Sequence, residues 1–282
     1  MSPRLAVLAD RVILEVRGAE TAAFLQKLVT SDVETVEPGQ ARYAALLSPQ
    51  GKIVSDFLAF RVADGFLLDA PAAVAPELLK RLRQYRLRAR LDIDDRSETL
   101  GAVAFAPGEP VPADALAGSA DPRHPGLWGR AILPRTSLPP PSPEADTLRL
   151  AARLRSGVPE GGVDFAFGDA FPHEANLDRL GGVDFRKGCY VGQEVVSRVH
   201  HRGTARRRVL PVSFEGAAPA PGTPLLAGGI EIGTMGSAVD GVGLASVRTD
   251  RVRDAEGPIT AGKTLLDVTL PAWVEQGQTP PT

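Results

Sequence analysis

Apolar and polar residues alternate in short stretches along the first seventy residues, a pattern typical of β-strands. The alternating stretches are residues 5–16, 42–47, 52–61 and 66–69. Turn-forming residues separate the last three stretches, namely Ser48-Pro49-Gln50-Gly51 and Asp64-Gly65. Because such turns join neighbouring antiparallel strands, the sequence predicts an antiparallel meander.

Two segments with a helical spacing of apolar residues flank this meander in the sequence, one before it and one after it. In residues 20–29 and 73–91 the apolar side chains fall on one helical face: Phe24, Leu25, Leu28 and Val29 in the first, and Leu78, Leu79, Leu82 and Tyr85 in the second. Residues 144–156 predict a third helix, which Gly157 would end as its C-cap. A short fourth helix is expected over residues 193–202, ending at Gly203.

The last third of the chain consists of short apolar stretches between Gly or Pro turns, and this spacing predicts a small β-barrel. The stretches are residues 209–214, 223–226, 230–235, 243–248 and 264–270. Between meander and barrel we expect strands at 91–93 and 127–133, a loop over 107–125 and a stiff proline connector at 139–143. The tail after Trp273 is expected to be disordered. The fold class is therefore α+β.

Composition narrows the class of protein. A chain of 282 residues predicts two or three domains. Its 32 basic and 34 acidic residues argue against a protein that coats nucleic acid. One cysteine excludes an internal disulfide framework and fits a reducing compartment. The N-terminus lacks the apolar core of a secretory signal, and no apolar run reaches membrane-spanning length. We expect a cytoplasmic protein with no membrane partner.

The single cysteine lies in the segment Arg186-Lys187-Gly188-Cys189-Tyr190-Val191-Gly192-Gln193-Glu194. Glycine permits positive φ and close approach of a ligand, and neighbouring cations lower the pKa of a thiol. The segment therefore predicts an exposed, electropositive thiol on a tight turn. The alternative is a buried cysteine that acts as a small apolar residue.

The segment from Lys187 to Glu194, with Arg198-Val199-His200-His201-Arg202-Gly203 after it, resembles the signature of the YgfZ family, folate-binding relatives of the glycine-cleavage T-protein. The His-His pair and Arg206-Arg207-Arg208 are similar to the branch of mitochondrial iron–sulfur assembly factors. Three further segments are similar to parts of the T-protein in the right order: residues 24–33, 51–57 and 85–91. The segment 171–177 resembles the family's Pro-x-Glu loop.

This resemblance implies a three-lobed molecule, with two intertwined lobes over residues 1–205 and a barrel over 206–282. It implies binding of tetrahydrofolate or a derivative, and a role in making or repairing iron–sulfur clusters rather than a defined turnover. The partners would be assembly or client proteins. One glutamate of the T-protein is absent, since the matching place reads Arg153-Leu154-Arg155-Ser156-Gly157. Aminomethyl transfer, the alternative function, is less favoured for that reason.

The candidate folate ligands are two carboxylates and two cations. Asp56 and Glu174 are suited to the N–H groups of a pterin, while Arg186 and Arg198 are suited to the glutamate tail. The alternatives are a half-exposed strand residue for Asp56, loop ordering for Glu174 and solvated surface cations for the arginines. The remaining motif residues, which would build the loop around the thiol, are Lys187, Gly188, Tyr190, Gly192, Gln193 and Glu194. Arg186, Lys187 and Arg198 are also candidates for lowering the pKa of the thiol, and Gln193 and Glu194 for capping the turn.

The histidine pair does not predict a metal site, because adjacent helical residues point about 100° apart. A third functional class is a thiol enzyme with Cys189 as nucleophile and His200 or His201 as base. Since an iron–sulfur cluster needs about four protein ligands, Cys189 alone cannot hold one. Any cluster would be transient and shared with a partner.

Overall fold

The computed structural model describes residues 4–202, 205–271 and 274. Fifteen strands and five α-helices are assigned over these residues. The N-terminal elements are β1 (Leu5–Leu8), β2 (Arg11–Arg17), α1 (Thr21–Gln26), β3 (Ala41–Leu47), β4 (Ile53–Val62), β5 (Gly65–Pro71), α2 (Ala75–Arg86), β6 (Asp92–Asp95), β7 (Leu100–Phe105), β8 (Ala117–Ser119), β9 (Gly129–Pro134) and α3 (Pro143–Arg155). The C-terminal elements are α4 (Gln193–Arg202), β10 (Arg207–Phe214), β11 (Pro224–Ala227), β12 (Ile230–Val239), β13 (Val242–Arg248), α5 (Thr249–Arg253), β14 (Ile259–Ala261) and β15 (Thr264–Val268).

Two antiparallel sheets form the N-terminal part. The five-stranded sheet has the order β3-β4-β5-β2-β6 and contains the predicted meander, which is confirmed. The four-stranded sheet has the order β1-β7-β9-β8. Because β1 and β2 follow one another in the chain but lie in different sheets, the two lobes are intertwined.

The five-stranded sheet is buried on both faces. Phe57 packs in the core under α1 and α2, while the next residue of β4, Leu58, packs in the core shared with the four-stranded sheet. Successive strand residues point to opposite faces, so both faces need apolar side chains. This explains why β4 and β5 read as nearly continuous apolar runs.

A charged cluster interrupts the apolar layer between the two sheets. Asp69 of β5 is fully buried, and its Oδ1 accepts from Arg11 Nε at 2.6 Å, while its Oδ2 accepts from Arg130 NH1 at 2.5 Å. Burial alone would raise the pKa of Asp69, but the two guanidinium groups outweigh it and hold that pKa below its usual range. Asp69 therefore joins β2 and β5 to β9 of the other sheet.

Helix α2 is shorter than expected and ends at Arg86 rather than near residue 91. Leu87 has φ +43° and ψ −106°, and the Ala89 amide donates to the Arg86 carbonyl at 2.8 Å. These values describe a tight turn, which stops the helix although the apolar spacing continues. Strand β8 is a second difference, because it lies inside the stretch expected to be loop.

The C-terminal barrel is confirmed. Six strands close it in the order β10-β13-β12-β11-β14-β15. The sequence pattern missed β14, which has only three residues, and the five-residue helix α5. The predicted helix end at Gly203 and the predicted disorder after Trp273 concern positions outside the described residues, apart from Val274.

Buried ion pairs attach the barrel to the rest of the molecule. Arg208 of β10 donates to both carboxylate oxygens of Asp178, at 2.7 and 3.1 Å. Arg153 of α3 donates to Asp164 at 2.5 Å and to the hydroxyl of Ser237, on β12, at 2.7 Å. A planar guanidinium donates several bonds in fixed directions, so these contacts fix orientation as well as distance.

Among the described residues, no helix has both the length and the apolar character needed to cross a membrane.

Candidate functional site

The cysteine lies on a chain segment that returns from the barrel side to the five-stranded sheet. Residues just before it are tied to the stretch after α1. The Asp184 amide donates to the Thr30 carbonyl at 2.9 Å, the Thr30 hydroxyl donates to the Gly182 carbonyl at 2.5 Å, and the Ser31 hydroxyl donates to the Gly181 carbonyl at 3.0 Å. The base of the cysteine loop is therefore fixed to the sheet lobe.

Lys187 anchors the loop from inside. Its side chain is buried, and its ammonium donates to the carbonyls of Gln26, Val29 and Ser31 at 2.8, 2.7 and 3.0 Å. An ammonium has three N–H donors, so the carbonyls following α1 use all of them. Burial lowers the pKa of Lys187 to about 8, opposed by the nearby carboxylates, of which Asp32 is the strongest. Lys187 thus points away from solvent and serves as an internal anchor.

Gly192 is required by close packing. Its φ is +80°, and a Cβ there would lie 2.6 Å from the Ser48 carbonyl oxygen and 3.1 Å from the Gly51 Cα. The loop therefore touches the β3–β4 turn backbone to backbone. Gly188 differs, because a Cβ there would meet nothing within 4 Å. Gly188 therefore provides open space beside the cysteine rather than a strained turn.

Side chains within the loop complete its structure. The Asp184 carboxylate accepts from the backbone amides of Arg186 and Lys187, at 2.7 and 3.2 Å. Gln193 Oε1 accepts from the Tyr190 amide at 3.3 Å. Tyr190 is buried, and this burial raises the pKa of its hydroxyl. The loop is held by bonds within itself as well as to the lobe.

Cys189 is a free, exposed cysteine on this anchored loop. Of the two cations before it, Arg186 is exposed and Lys187 is buried. Further along, Arg198 donates to Glu194 at 2.7 Å as an exposed i,i+4 pair on α4. The sequence predicts that Glu194 caps the turn and that Arg198 contacts folate. In the structure these two side chains form an ion pair with each other. The thiol is open to solvent.

Asp56 lies on β4, on the face directed at the four-stranded sheet. Its Oδ2 accepts from the Tyr43 hydroxyl at 2.8 Å, while its buried Oδ1 has no hydrogen-bond partner among the described residues. Burial raises the pKa of Asp56, although the charges of Arg11 and Arg123 act against the rise. A buried acceptor without a donor is costly, so this oxygen is a candidate point for ligand binding.

Glu174 lies in different surroundings. Its carboxylate accepts from the Phe171 amide at 2.9 Å, which orders its own loop, and its carbonyl accepts from Val209 of the barrel at 3.1 Å. It also lines a cavity of about 340 Å³ between this loop, α4 and the barrel, together with His173 and Arg207. No hydrogen bond joins Glu174 to Asp56 in the described part of the chain.

The histidines form an aromatic stack. His200 lies 3.7 Å from Phe185 between ring centroids, and His173 lies 6.3 Å from His200. Burial lowers the pKa of His173 to about 4 and also lowers that of His200. Over the described residues, no group of three or more His, Cys, Asp or Glu side chains is arranged to hold a metal, and Cys189 makes no hydrogen bond to either His200 or His201. The stack packs His200, near the end of α4, against Phe185 in the segment before Cys189.

The sequence predicts Lys187 as a loop residue and as a cation for the thiol, but not its inward direction. Its position three residues after Asp184 is compatible with an Asx-type turn that directs the side chain inward. Other residues that build this site gave no signal in the sequence. Tyr43 gave no signal, because an aromatic residue on a strand is ordinary. Asp178 and Arg208 lie 30 residues apart, and only the fold brings them together.

Two family models match the chain. The model described as the GCVT N-terminal domain matches residues 12–107, and the CAF17 C-terminal β-barrel domain matches residues 206–276. Among solved structures, the glycine cleavage system aminomethyltransferase T from Bartonella henselae superposes with a TM-score of 0.71 at 19% identity, covering 96% of this chain and 86% of that one. This similarity shows the fold.

Among curated relatives, the chain is similar to mitochondrial iron–sulfur cluster assembly factors named IBA57. The human protein is 31% identical over 303 residues, covering 94% of this chain and 84% of that protein. The homolog from Mycosarcoma maydis is 34% identical over 239 residues, covering 77% of this chain and 59% of that protein. The chain thus spans little more than half the length of some fungal relatives.

The expected cytoplasmic location is contradicted by this comparison, because the relatives from Mycosarcoma maydis, Homo sapiens and Mus musculus are all named as mitochondrial. The expectation rested on the lack of a secretory signal and of a membrane span. Neither property separates the cytosol from the interior of an organelle.

The carbonyl cage of Lys187 yields a direct test. Lys187→Met leaves three carbonyls without their donor, those of Val29 and Ser31 being buried, so we expect a loss of at least about 2 kcal/mol in the free energy of unfolding. The matched control is Arg186→Met, which changes the exposed neighbouring cation and should stay within about 0.5 kcal/mol of wild type. Urea unfolding measures both. Equal effects of the two substitutions would show that the cage does not anchor the loop.

Proposed function

The chain belongs to the family of IBA57 iron–sulfur cluster assembly factors, and from this premise we propose that it acts in the assembly or repair of iron–sulfur clusters, with Cys189 as its functional thiol. The observation that carries the proposal is the exposed cysteine on an internally anchored loop. The cluster is the cargo of this activity.

The presence of a single cysteine limits how the chain could hold a cluster. An iron–sulfur cluster is held by about four ligands, and Cys189 is the only cysteine of the chain. The other ligands must come from a partner, which is an assembly or client protein, and the shared cluster is transient. The open space around Gly188 suits this role, since the partner's own ligands have to approach the same metal atoms.

Anchoring of the loop supports presentation of the thiol. The Lys187 ammonium and the Gly192 contact fix the backbone on both sides of Cys189, so the thiol is displayed with little conformational freedom left to lose on binding. A partner then meets a nearly preformed surface.

A reduced folate is the second part of the proposal, and it fits the chain at one point. The unpartnered Oδ1 of Asp56 is an acceptor that an N–H donor of a pterin would satisfy, and Tyr43 holds the other oxygen in place. When bound, the folate would supply one-carbon chemistry or act as a ligand that stabilises the lobes. Glu174, Arg186 and Arg198 remain candidate contacts for it.

Folate-dependent aminomethyl transfer is the alternative function. The superposition on the aminomethyltransferase from Bartonella henselae concerns the fold only, at 19% identity. In the segment Arg153-Leu154-Arg155-Ser156-Gly157, the place of the T-protein's glutamate is taken by Arg155, an exposed cation. The matched models do not name the YgfZ family, which stays a prediction.

The thiol is tested in cells that lack this protein. We expect iron–sulfur enzyme activities to fall several-fold on deletion, wild-type protein to restore them, and Cys189→Ser not to restore them. Because Cys189 is exposed, the variant should unfold at the same temperature as wild type, which controls for misfolding. Full restoration by Cys189→Ser would remove the thiol from the proposal, and unchanged activities after deletion would remove cluster assembly itself.

Folate binding is tested by calorimetry with tetrahydrofolate and the purified chain. We expect saturable binding that Asp56→Asn weakens about tenfold or more, since a charge-assisted hydrogen bond contributes roughly 1.5 to 3 kcal/mol. Asp94→Asn, on the exposed side of β6, should bind as wild type does. Absence of binding at millimolar folate, or equal affinity of all three proteins, contradicts this part of the proposal.

A further inference from the structure

The cavity of about 340 Å³ beside Glu174 lies where the loop at residues 171–174 meets the last turn of α4 and the barrel. The loop is fixed to the barrel, because the His173 carbonyl accepts from Arg208 NH1 at 2.6 Å and the Glu174 carbonyl accepts from the Val209 amide at 3.1 Å. Small molecules bind in cavities of about 300 to 1,000 Å³ whose walls are largely preformed. This cavity meets both conditions.

The inner wall of the cavity is mainly apolar, with contributions from Phe171, Val199 and Ala205. The ammonium of Lys52 lies 3.6 Å from the centroid of the Phe171 ring, a cation–π contact that holds the orientation of the ring. An apolar or aromatic group that leaves water for such a wall gains free energy through the hydrophobic effect. The wall therefore favours a ligand with an apolar body.

His173 forms part of the same wall. Its side chain is buried, and neither ring nitrogen has a hydrogen-bond partner among the described residues. Burial lowers the pKa of His173 to about 4, so at neutral pH the ring is uncharged and has one N–H donor and one acceptor nitrogen. Unpaired polar groups in an interior are costly, so a ligand whose polar group reaches either nitrogen would be bound more tightly.

The mouth of the cavity carries a positive charge. Arg206 and Arg207 are exposed and form no ion pair with any described residue, whereas Arg248 is paired with Asp250 at 2.6 Å. Among the described lining residues the carboxylate is that of Glu174, and one of its oxygens accepts from the backbone of its own loop. Because exposed arginines are hydrated, this charge does not require a bound anion. It selects, among the ligands that the apolar wall accepts, those with a negative group.

We propose that this cavity binds a small aromatic carboxylate. The ring of the ligand lies against Phe171 and Val199, and its carboxylate lies at the mouth beside Arg206 and Arg207. The site goes beyond the proposed function and does not depend on it. It is separate from the proposed folate contact at Asp56, which lies on β4 and is not among the described residues that line the cavity. Because Val199 belongs to the helix that follows the cysteine loop, a bound carboxylate would stabilise that helix.

The first experiment is calorimetry of the full chain with salicylate and with salicylamide, an uncharged analogue with the same ring. We expect saturable binding of salicylate and binding of salicylamide that is weaker by about fivefold or more, because salicylamide lacks the charge that the two arginines attract. Arg207→Gln should weaken salicylate by about two- to fivefold and leave salicylamide unchanged. Arg88→Gln, which changes an exposed arginine after α2, should alter neither. Equal affinity for the two compounds, or no saturable binding of salicylate, overturns the proposal.

The second experiment locates the ligand and needs no variant. Crystals of the wild-type protein soaked with a brominated salicylate should give an anomalous bromine peak within contact distance of the Phe171 ring. A peak at another place only, or no peak, overturns the proposal.

A competition experiment separates this site from the folate site. We expect saturating tetrahydrofolate to leave the affinity for salicylate unchanged. Displacement of salicylate would make the cavity part of the folate site and would overturn the proposal of a separate one. A chain that binds no tetrahydrofolate at all would contradict the folate part of the proposed function and would leave the salicylate result standing.

Discussion

The carboxylate of Asp69, shared between Arg11 and Arg130, is the constraint on which the N-terminal architecture depends. Most of the core between the two sheets consists of apolar side chains, which attract without fixing register or angle. Asp69 receives one guanidinium from its own sheet and one from β9, at 2.6 and 2.5 Å, in a site with no exposure to water. Removing one partner from such a cluster leaves a buried charge uncompensated, so each sheet holds the other in a defined orientation.

Buried ion pairs also join the barrel to the rest of the chain, at the base of the segment that leads to the cysteine loop. Arg153 ties α3 to Asp164 and the barrel, while Arg208 ties the barrel to Asp178. The segment that carries Cys189 runs on from Asp178, and Lys187 then fixes it to the stretch after α1. The thiol is therefore held on both sides, by the Lys187 contacts before it and by the Gly192 contact after it.

Strand alternation was enough to predict the meander, and the spacing of short apolar stretches between turns was enough to predict the barrel. The charged, glycine-rich flanks were enough to predict the exposure of Cys189. The pattern could not show in which direction an individual side chain points. Lys187 has the sequence context of a cation near the thiol, but its ammonium is buried against three carbonyls at and after the end of α1. That contact depends on the fold and cannot be predicted from the order of apolar and polar residues. The apolar spacing likewise predicts that α2 continues past Arg86. The turn at Leu87 that ends the helix depends on backbone geometry, which apolar spacing does not show.

Urea unfolding of Asp69→Asn tests the account most directly. The amide keeps the shape but removes the charge that both guanidinium groups require, so we expect the free energy of unfolding to fall by about 3 to 5 kcal/mol. Asp114→Asn changes an exposed aspartate and should stay within about 0.5 kcal/mol of wild type. Asp69 has a lowered pKa when folded, so its contribution is present above the unfolded pKa near 4 and is lost as pH falls below it. A loss below about 1 kcal/mol at neutral pH, or a loss of 3 to 5 kcal/mol that persists undiminished well below pH 4, would contradict the role given to this carboxylate.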